Sequence, residues 1–145
     1  MRGKKTRQQI TRVDESATHS PGTASAKSIL IVENHEDYRR FLRDQLSNAG
    51  YALIEAESAE DALAALATSL PDLILMDIQL PVMDGYEATR QIRANPDLKS
   101  VRIIAVTSYA SAGDEAKALA VGCNAYVSKP YSPRALLAKV KEYLA

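Results

Sequence analysis

The 145-residue chain has one cysteine, no net charge and no long apolar run, and each absence excludes a class of protein. With Cys123 alone, an internal disulfide is impossible, and a reducing, cytoplasmic location is expected. Its 18 basic residues balance its 18 acidic ones, so the overall charge indicates neither nucleic acid nor a membrane as a partner. No segment approaches the roughly 18 apolar residues of a membrane span. The composition is that of an ordinary soluble globular protein.

The charge is unevenly distributed along the chain. Residues 1–26 hold five basic and two acidic residues, a net charge of +3, and they are rich in Ser, Thr and Gln. They contain no apolar segment of the kind found in secretory signals. This composition predicts a disordered basic N-terminal tail over residues 1–26, more often solvated than bound to a partner, followed by one domain over residues 27–145. We expect no nucleic acid on the folded domain.

From residue 27 onward, short apolar runs alternate with helical patterns. The runs are SILIVE, ALIEA, LILMD, RIIAVTS and NAYVSKP, and each is followed by a segment with helical spacing of its apolar residues. Gly50 is typical of a helix end, and Ser58, Asp84 and Ser132 are typical of helix starts. Five strands alternating with five helices predict an α/β fold: a doubly wound, five-stranded parallel sheet with helices on both faces.

Polar side chains close the buried strands of this sheet. In a doubly wound sheet, ligands bind at the carboxyl ends of the strands. The residues delivered there are Glu33, Asn34, Asp77, Thr107, Ser108 and Lys129. Carboxylate oxygens suit Mg²⁺, an ionised aspartate can attack phosphorus, and a hydroxyl and an ammonium can neutralise phosphoryl oxygens. The sequence therefore predicts a phosphoryl-accepting site centred on Asp77.

The segments ILIVEN, PDLILMDIQLPVMDG, IIAVTS and AYVSKP, in this order and spacing, resemble a response-regulator receiver domain of two-component signalling. The resemblance covers residues 28–144 and implies a flavodoxin-like fold with strand order 2-1-3-4-5. It implies that Asp77 is the phosphoacceptor, that Thr107 and Tyr126 are switch residues and that Lys129 binds the phosphoryl group. It also implies that Glu33, the residue at position 34, Asp77 and the backbone carbonyl of Gln79 hold Mg²⁺, and that the Lys129–Pro130 bond is cis.

One position departs from the family pattern. The family normally has two adjacent carboxylates, whereas this chain has Glu33 followed by Asn34. An amide oxygen can ligate Mg²⁺ but brings no charge, so we expect weaker metal binding; Asp37, one helical turn further on, could compensate through water. If Asn34 disables the metal site, the chain is instead a pseudo-receiver, an interaction module with the same fold and no phosphorylation.

The resemblance also implies partners. A histidine kinase or histidine phosphotransfer protein would donate the phosphoryl group, and a downstream effector protein would read the result, because no output domain is visible in this sequence. The domain would catalyse only its own phosphorylation and dephosphorylation, with Gln79 and Tyr109 tuning the latter. A phosphohydrolase is disfavoured because Gln79 occupies the place of its second acid, and a flavin carrier because the loop ENHEDY lacks phosphate-cradling residues. His35 is interpreted as an ordinary loop residue.

Overall fold

The computed structural model of the chain describes residues 26–108 and 112–145. The predicted tail therefore lies, apart from its last residue, outside the described residues, and so does Tyr109. The strands are β1 (Ser28–Val32), β2 (Ala52–Ala56), β3 (Leu73–Asp77), β4 (Arg102–Thr107) and β5 (Ala125–Ser128). The helices are α1 (Glu36–Asn48), α2 (Ala59–Leu66), α3 (Gly85–Ala94), α4 (Ala112–Val121) and α5 (Pro133–Leu144), with a short 3-10 helix at Pro96–Leu98.

The five strands form one parallel sheet in the order β2-β1-β3-β4-β5. The predicted fold class and strand order are confirmed. In the register of the sheet, Asp77 at the end of β3 pairs with Val106, and Thr107 at the end of β4 pairs with Ser128. The carboxyl ends of β3, β4 and β5 therefore lie side by side at one edge.

Alternate residues of each strand face opposite layers of helices. In β1, Leu30 and Val32 pack with residues of α2, α3 and α4, whereas Ile29 and Ile31 pack with residues of α1 and α5. Because both faces are covered, every residue of β3 is buried, which explains its continuous apolar run. Among the helices of the described part of the chain, none has the length and apolar character that crossing a bilayer requires.

Three of the predicted helix starts are confirmed by side-chain hydrogen bonds. Ser58, Asp84 and Ser132 each accept a hydrogen bond from the backbone N–H three residues later, at 3.0, 2.9 and 2.9 Å. Helix α1 differs, because its N-cap residue, His35, makes no side-chain capping bond. Helix α2 ends at Leu66, and the segment between it and Pro71 is not helical.

Candidate functional site

Buried polar side chains are concentrated at the carboxyl edge of the sheet. The described part of the chain buries five polar or charged residues, and four of them lie at this edge: Glu33 (2% exposed), Asp77 (2%), Thr107 (1%) and Lys129 (8%). Removing charged groups from water costs several kcal/mol for each unless they are paired. A cluster of two acids and one ammonium in this position is therefore unusual for a purely structural element and indicates a functional site.

Glu33 directly follows β1 and uses both of its carboxylate oxygens. Oε1 accepts a hydrogen bond from the Lys129 Nζ at 2.8 Å, and the two side chains form a buried ion pair. Oε2 accepts from the backbone N–H of His35 at 3.0 Å and lies 3.2 Å from the ring Nδ1 of the same residue. The Arg39 guanidinium donates to the Glu33 backbone carbonyl at 2.8 Å. These bonds fix Glu33 beside the ends of β3 and β5.

Asp77 closes β3, and its carboxyl group is held by one hydrogen bond and one more distant cation. Oδ1 accepts from the backbone N–H of Gln79 at 3.0 Å, while Oδ2 lies 3.8 Å from the Lys129 Nζ. Burial, followed by the neighbouring carboxylate of Glu33, raises the pKa of Asp77 from 3.8 to about 6, although Gln79 and Lys129 act in the opposite direction. The carboxylates of Glu33 and Asp77 thus repel one another, and additional positive charge beside them would offset this repulsion.

Lys129 follows β5, and the Lys129–Pro130 peptide bond is cis, as expected. Besides its pair with Glu33, the ammonium lies 4.1 Å from the centroid of the Tyr38 ring on α1. The Tyr38 ring also makes an edge contact with His35 at 6.4 Å and a tilted contact with Tyr131 at 6.4 Å. The ammonium is therefore held between a carboxylate and an aromatic face, close to Asp77.

The remaining predicted residues border this cluster. Thr107 is buried at the end of β4, and its backbone carbonyl accepts from the Lys129 N–H at 2.7 Å. The Gln79 side chain accepts from the Ser108 N–H at 3.0 Å and so links the loop after β3 to the end of β4. Tyr126 lies half-buried on β5 and packs against the core on the α2–α4 side.

The loop between β3 and α3 packs closely on the phosphoacceptor candidate. The Gly85 N–H donates to the Ile78 carbonyl at 2.9 Å, and a Cβ atom at Gly85 would lie 2.5 Å from the Asp77 carbonyl oxygen. Only glycine fits this approach. Val82, in the loop before Gly85, is 98% exposed and has a φ of 68°, a conformation that is strained for a β-branched residue.

The side chains at this edge fit a divalent cation. Glu33 and Asp77 offer carboxylate oxygens, and the Asn34 Oδ1 is buried with no hydrogen-bond partner among the residues that the structure describes. An unpaired buried oxygen is costly, and a metal or its water would satisfy it.

His35, interpreted from the sequence as an ordinary loop residue, lies beside Glu33 in the structure. Within residues 26–108 and 112–145, one group of three His, Cys, Asp or Glu side chains brings its ligand atoms within 4.8 Å of one another, and it consists of Glu33, His35 and Asp77. Asp37, which the sequence suggested as compensation for Asn34, is exposed and lies outside this group. In the sequence, the feature that indicates this proximity is that His35 stands two residues after Glu33, the acid that closes a strand.

Comparisons with known proteins agree with this geometry. Residues 29–141 match the family model described as the response regulator receiver domain. The polar-differentiation response regulator DivK of Brucella ovis is 41% identical over 118 residues, which cover 81% of this chain and 96% of that protein.

Solved structures agree as well. The receiver domain of the sensor histidine kinase PA1611 from Pseudomonas aeruginosa, solved with a magnesium ion in its active-site cleft, is 33% identical with a TM-score of 0.77, covering 83% of this chain and 98% of that one. The chemotaxis protein CheY4 of Vibrio cholerae is 28% identical with a TM-score of 0.79, covering 83% of this chain and 100% of that one.

Proposed function

Because the chain belongs to the response regulator receiver domain family of two-component signalling, we propose that it is a switch controlled by phosphorylation of Asp77. A histidine kinase or a histidine phosphotransfer protein donates the phosphoryl group, and a downstream effector protein reads the change. The observation that carries this proposal is the burial of Asp77 with Glu33, Lys129 and Thr107 at one edge of the sheet. A signalling role of this kind requires the domain to catalyse only its own phosphorylation and dephosphorylation.

The transfer step follows from the groups around Asp77. A carboxylate oxygen of Asp77 forms a bond to phosphorus while the bond from phosphorus to the donor imidazole nitrogen breaks, and that nitrogen keeps the electron pair and takes up a proton. The attacking group must be ionised, and a pKa of about 6 leaves most of Asp77 ionised at neutral pH. The Lys129 ammonium, now 3.8 Å from Asp77, lies close enough to move onto a phosphoryl oxygen.

Mg²⁺ is the proposed cofactor, and Glu33, Asp77, Asn34 and the backbone carbonyl of Gln79 would hold it. When bound, it supplies positive charge beside the transferring phosphoryl oxygens. Its charge would offset the repulsion between the carboxylates of Glu33 and Asp77 and would therefore favour the ionised form of Asp77.

The switch itself is assigned to Thr107 and Tyr126. We propose that the Thr107 hydroxyl moves toward the phosphoryl oxygens and that Tyr126, half-buried in this structure, turns further inward. The surface formed by α4, β5 and α5 would thereby change its preference for partners. The cytoplasmic location that the single cysteine indicates remains a prediction.

A second candidate function is a pseudo-receiver, an interaction module that is not phosphorylated. The neutral side chain of Asn34, where the family normally has a metal-binding carboxylate, is the observation that favours it. The two candidates differ in whether the chain accepts a phosphoryl group at all.

Incubation with acetyl phosphate, followed by intact-mass measurement with and without Mg²⁺, separates the two functions. The switch predicts a metal-dependent gain of one phosphoryl group that is lost in Asp77→Asn and kept in Asp44→Asn, a matched change at an exposed aspartate of α1. No gain at high Mg²⁺, with a gain restored by Asn34→Asp, would establish the pseudo-receiver instead.

A further inference from the structure

We propose that Glu33, His35 and Asp77 form a mixed nitrogen–oxygen site that binds a first-row transition-metal ion in preference to Mg²⁺. This inference rests on the proposed function in that it names the class of metal that serves the same site, and it adds a ligand, His35, to the proposed set. The juxtaposition that carries it is an imidazole nitrogen and two buried carboxylates whose ligand atoms all lie within 4.8 Å of one another.

One distance in this group, between His35 and Glu33, suits direct ligation by a single ion. Ligand atoms about 2.1 Å from a six-coordinate ion stand about 3.0 Å apart in neighbouring positions and about 4.2 Å apart in opposite positions. The His35 Nδ1 lies 3.2 Å from the Glu33 Oε2, the separation of a neighbouring pair. Because the Glu33 Oε1 is paired with Lys129, Oε2 is the oxygen that would bind the metal, alongside the hydrogen bond that it accepts from the His35 backbone N–H.

The His35 ring lies within hydrogen-bond distance of Glu33 and in edge contact with Tyr38, but it does not cap α1. His35 is the N-cap residue of α1, where Ser, Thr, Asp and Asn are preferred, and its side chain makes no capping hydrogen bond. The side chain is 65% exposed, so an ion can reach the ring from solvent. The edge contact with Tyr38, at 6.4 Å and an interplanar angle of 75°, orients the imidazole beside Glu33.

The ligand chemistry sets the preference among metals. Mg²⁺ favours oxygen ligands and charged carboxylates, and Asn34 supplies an amide where a second carboxylate would stand. An imidazole nitrogen adds affinity for transition metals, which rises from Mn²⁺ through Co²⁺ to Cu²⁺. Asn34 and His35 therefore act in the same direction, because Asn34 weakens the binding of Mg²⁺ and His35 strengthens the binding of transition-metal ions.

Calorimetric titration of the full, untagged chain with CoCl₂ and with MgCl₂ tests this inference. We expect Co²⁺ to bind more tightly than Mg²⁺. His35→Gln should weaken Co²⁺ binding by about 10- to 100-fold or more, because losing a direct ligand costs at least as much as losing a residue that only supports a ligand. His35→Gln should change Mg²⁺ binding far less. His19→Gln is the matched control, since His19 is the other histidine of the chain, and it should leave both affinities unchanged.

Proton NMR of the Co²⁺-loaded chain gives a second readout that does not depend on activity. A hyperfine-shifted imidazole C–H signal, present in the wild type and in His19→Gln but absent in His35→Gln, is expected, with folding of each variant checked by circular dichroism. Equal Co²⁺ affinity in the wild type and His35→Gln, or the absence of that signal, would overturn the inference.

The phosphorylation assay keeps this inference separate from the proposed function. If the wild type accepts phosphate in Mg²⁺ while His35→Gln binds Co²⁺ normally, the metal inference fails and the switch stands. If Co²⁺ binds through His35 in a chain that never accepts phosphate, the metal inference stands and the switch fails.

Discussion

Replacement of Asp77 by asparagine should make the protein more stable, although it removes the central residue of the site. Asp77 is 2% exposed, and burial together with Glu33 raises its pKa from 3.8 to about 6. Since the folded-state pKa lies above the unfolded one, ionisation of this group opposes folding. The difference corresponds to about 3 kcal/mol of lost stability once the pH exceeds both values.

The sign and the pH window follow from the same two values. Well below pH 3.8 the group is protonated in both states and costs nothing, and as the pH rises toward 6 the unfolded state ionises first, so stability falls. At pH 8 the full loss of about 3 kcal/mol applies, whereas at pH 5 about half of it does. Asp77→Asn should remove this loss at each pH.

Urea unfolding followed by circular dichroism, with EDTA present to exclude metal, measures this effect. Asp77→Asn should unfold with a free energy about 3 kcal/mol above that of the wild type at pH 8, and the gain should shrink by about half at pH 5. Asp44→Asn, on the exposed face of α1, is the control and should change little at either pH. No gain at pH 8, or a gain of the same size at both pH values, would refute the reasoning.

Three further changes test other features of the fold. Val82→Asn should raise the free energy of unfolding by about 1 kcal/mol, because asparagine tolerates the φ of 68° that strains valine; an unchanged urea midpoint would contradict this. Gly85→Ala should cost about 1–3 kcal/mol and slow phosphorylation, because its Cβ would collide with the Asp77 carbonyl oxygen; full stability with a normal rate would show that the loop can move. Arg93→Lys should cost about 2 kcal/mol in urea, because its guanidinium donates to four backbone carbonyls at the opposite edge of the sheet, yet leave the intact-mass gain unchanged.

The fold could be predicted because its strands are buried on both faces. A continuous apolar run such as residues 73–76, closed by an acid and a loop, is typical of a strand covered by helices on both sides, and the alternation with helical patterns leaves a parallel sheet as the natural arrangement. The site followed from the same rule, since the carboxyl ends of parallel strands meet at one edge, and Glu33, Asp77, Thr107 and Lys129 each close a strand or directly follow one.

The contacts that complete the site were not predictable from the sequence. The ring of Tyr38 reaches the ammonium of Lys129 only because the segment that follows β5 lies against α1, a contact between residues far apart in the chain. The position of His35 depends on where α1 begins and on how the Glu33 side chain turns. The pKa of Asp77 likewise depends on its burial and its separation from Glu33 and Lys129, and neither follows from residue spacing.

The most direct test of the central claim is to locate the phosphoryl group. After incubation with acetyl phosphate and Mg²⁺, reduction with borohydride converts an aspartyl phosphate to homoserine, which peptide mass spectrometry assigns to a position. Homoserine is expected at position 77 alone, and none is expected when the donor is omitted or the chain carries Asp77→Asn. Homoserine at another aspartate, or a phosphoryl group that resists borohydride, would contradict the claim that Asp77 is the phosphoacceptor.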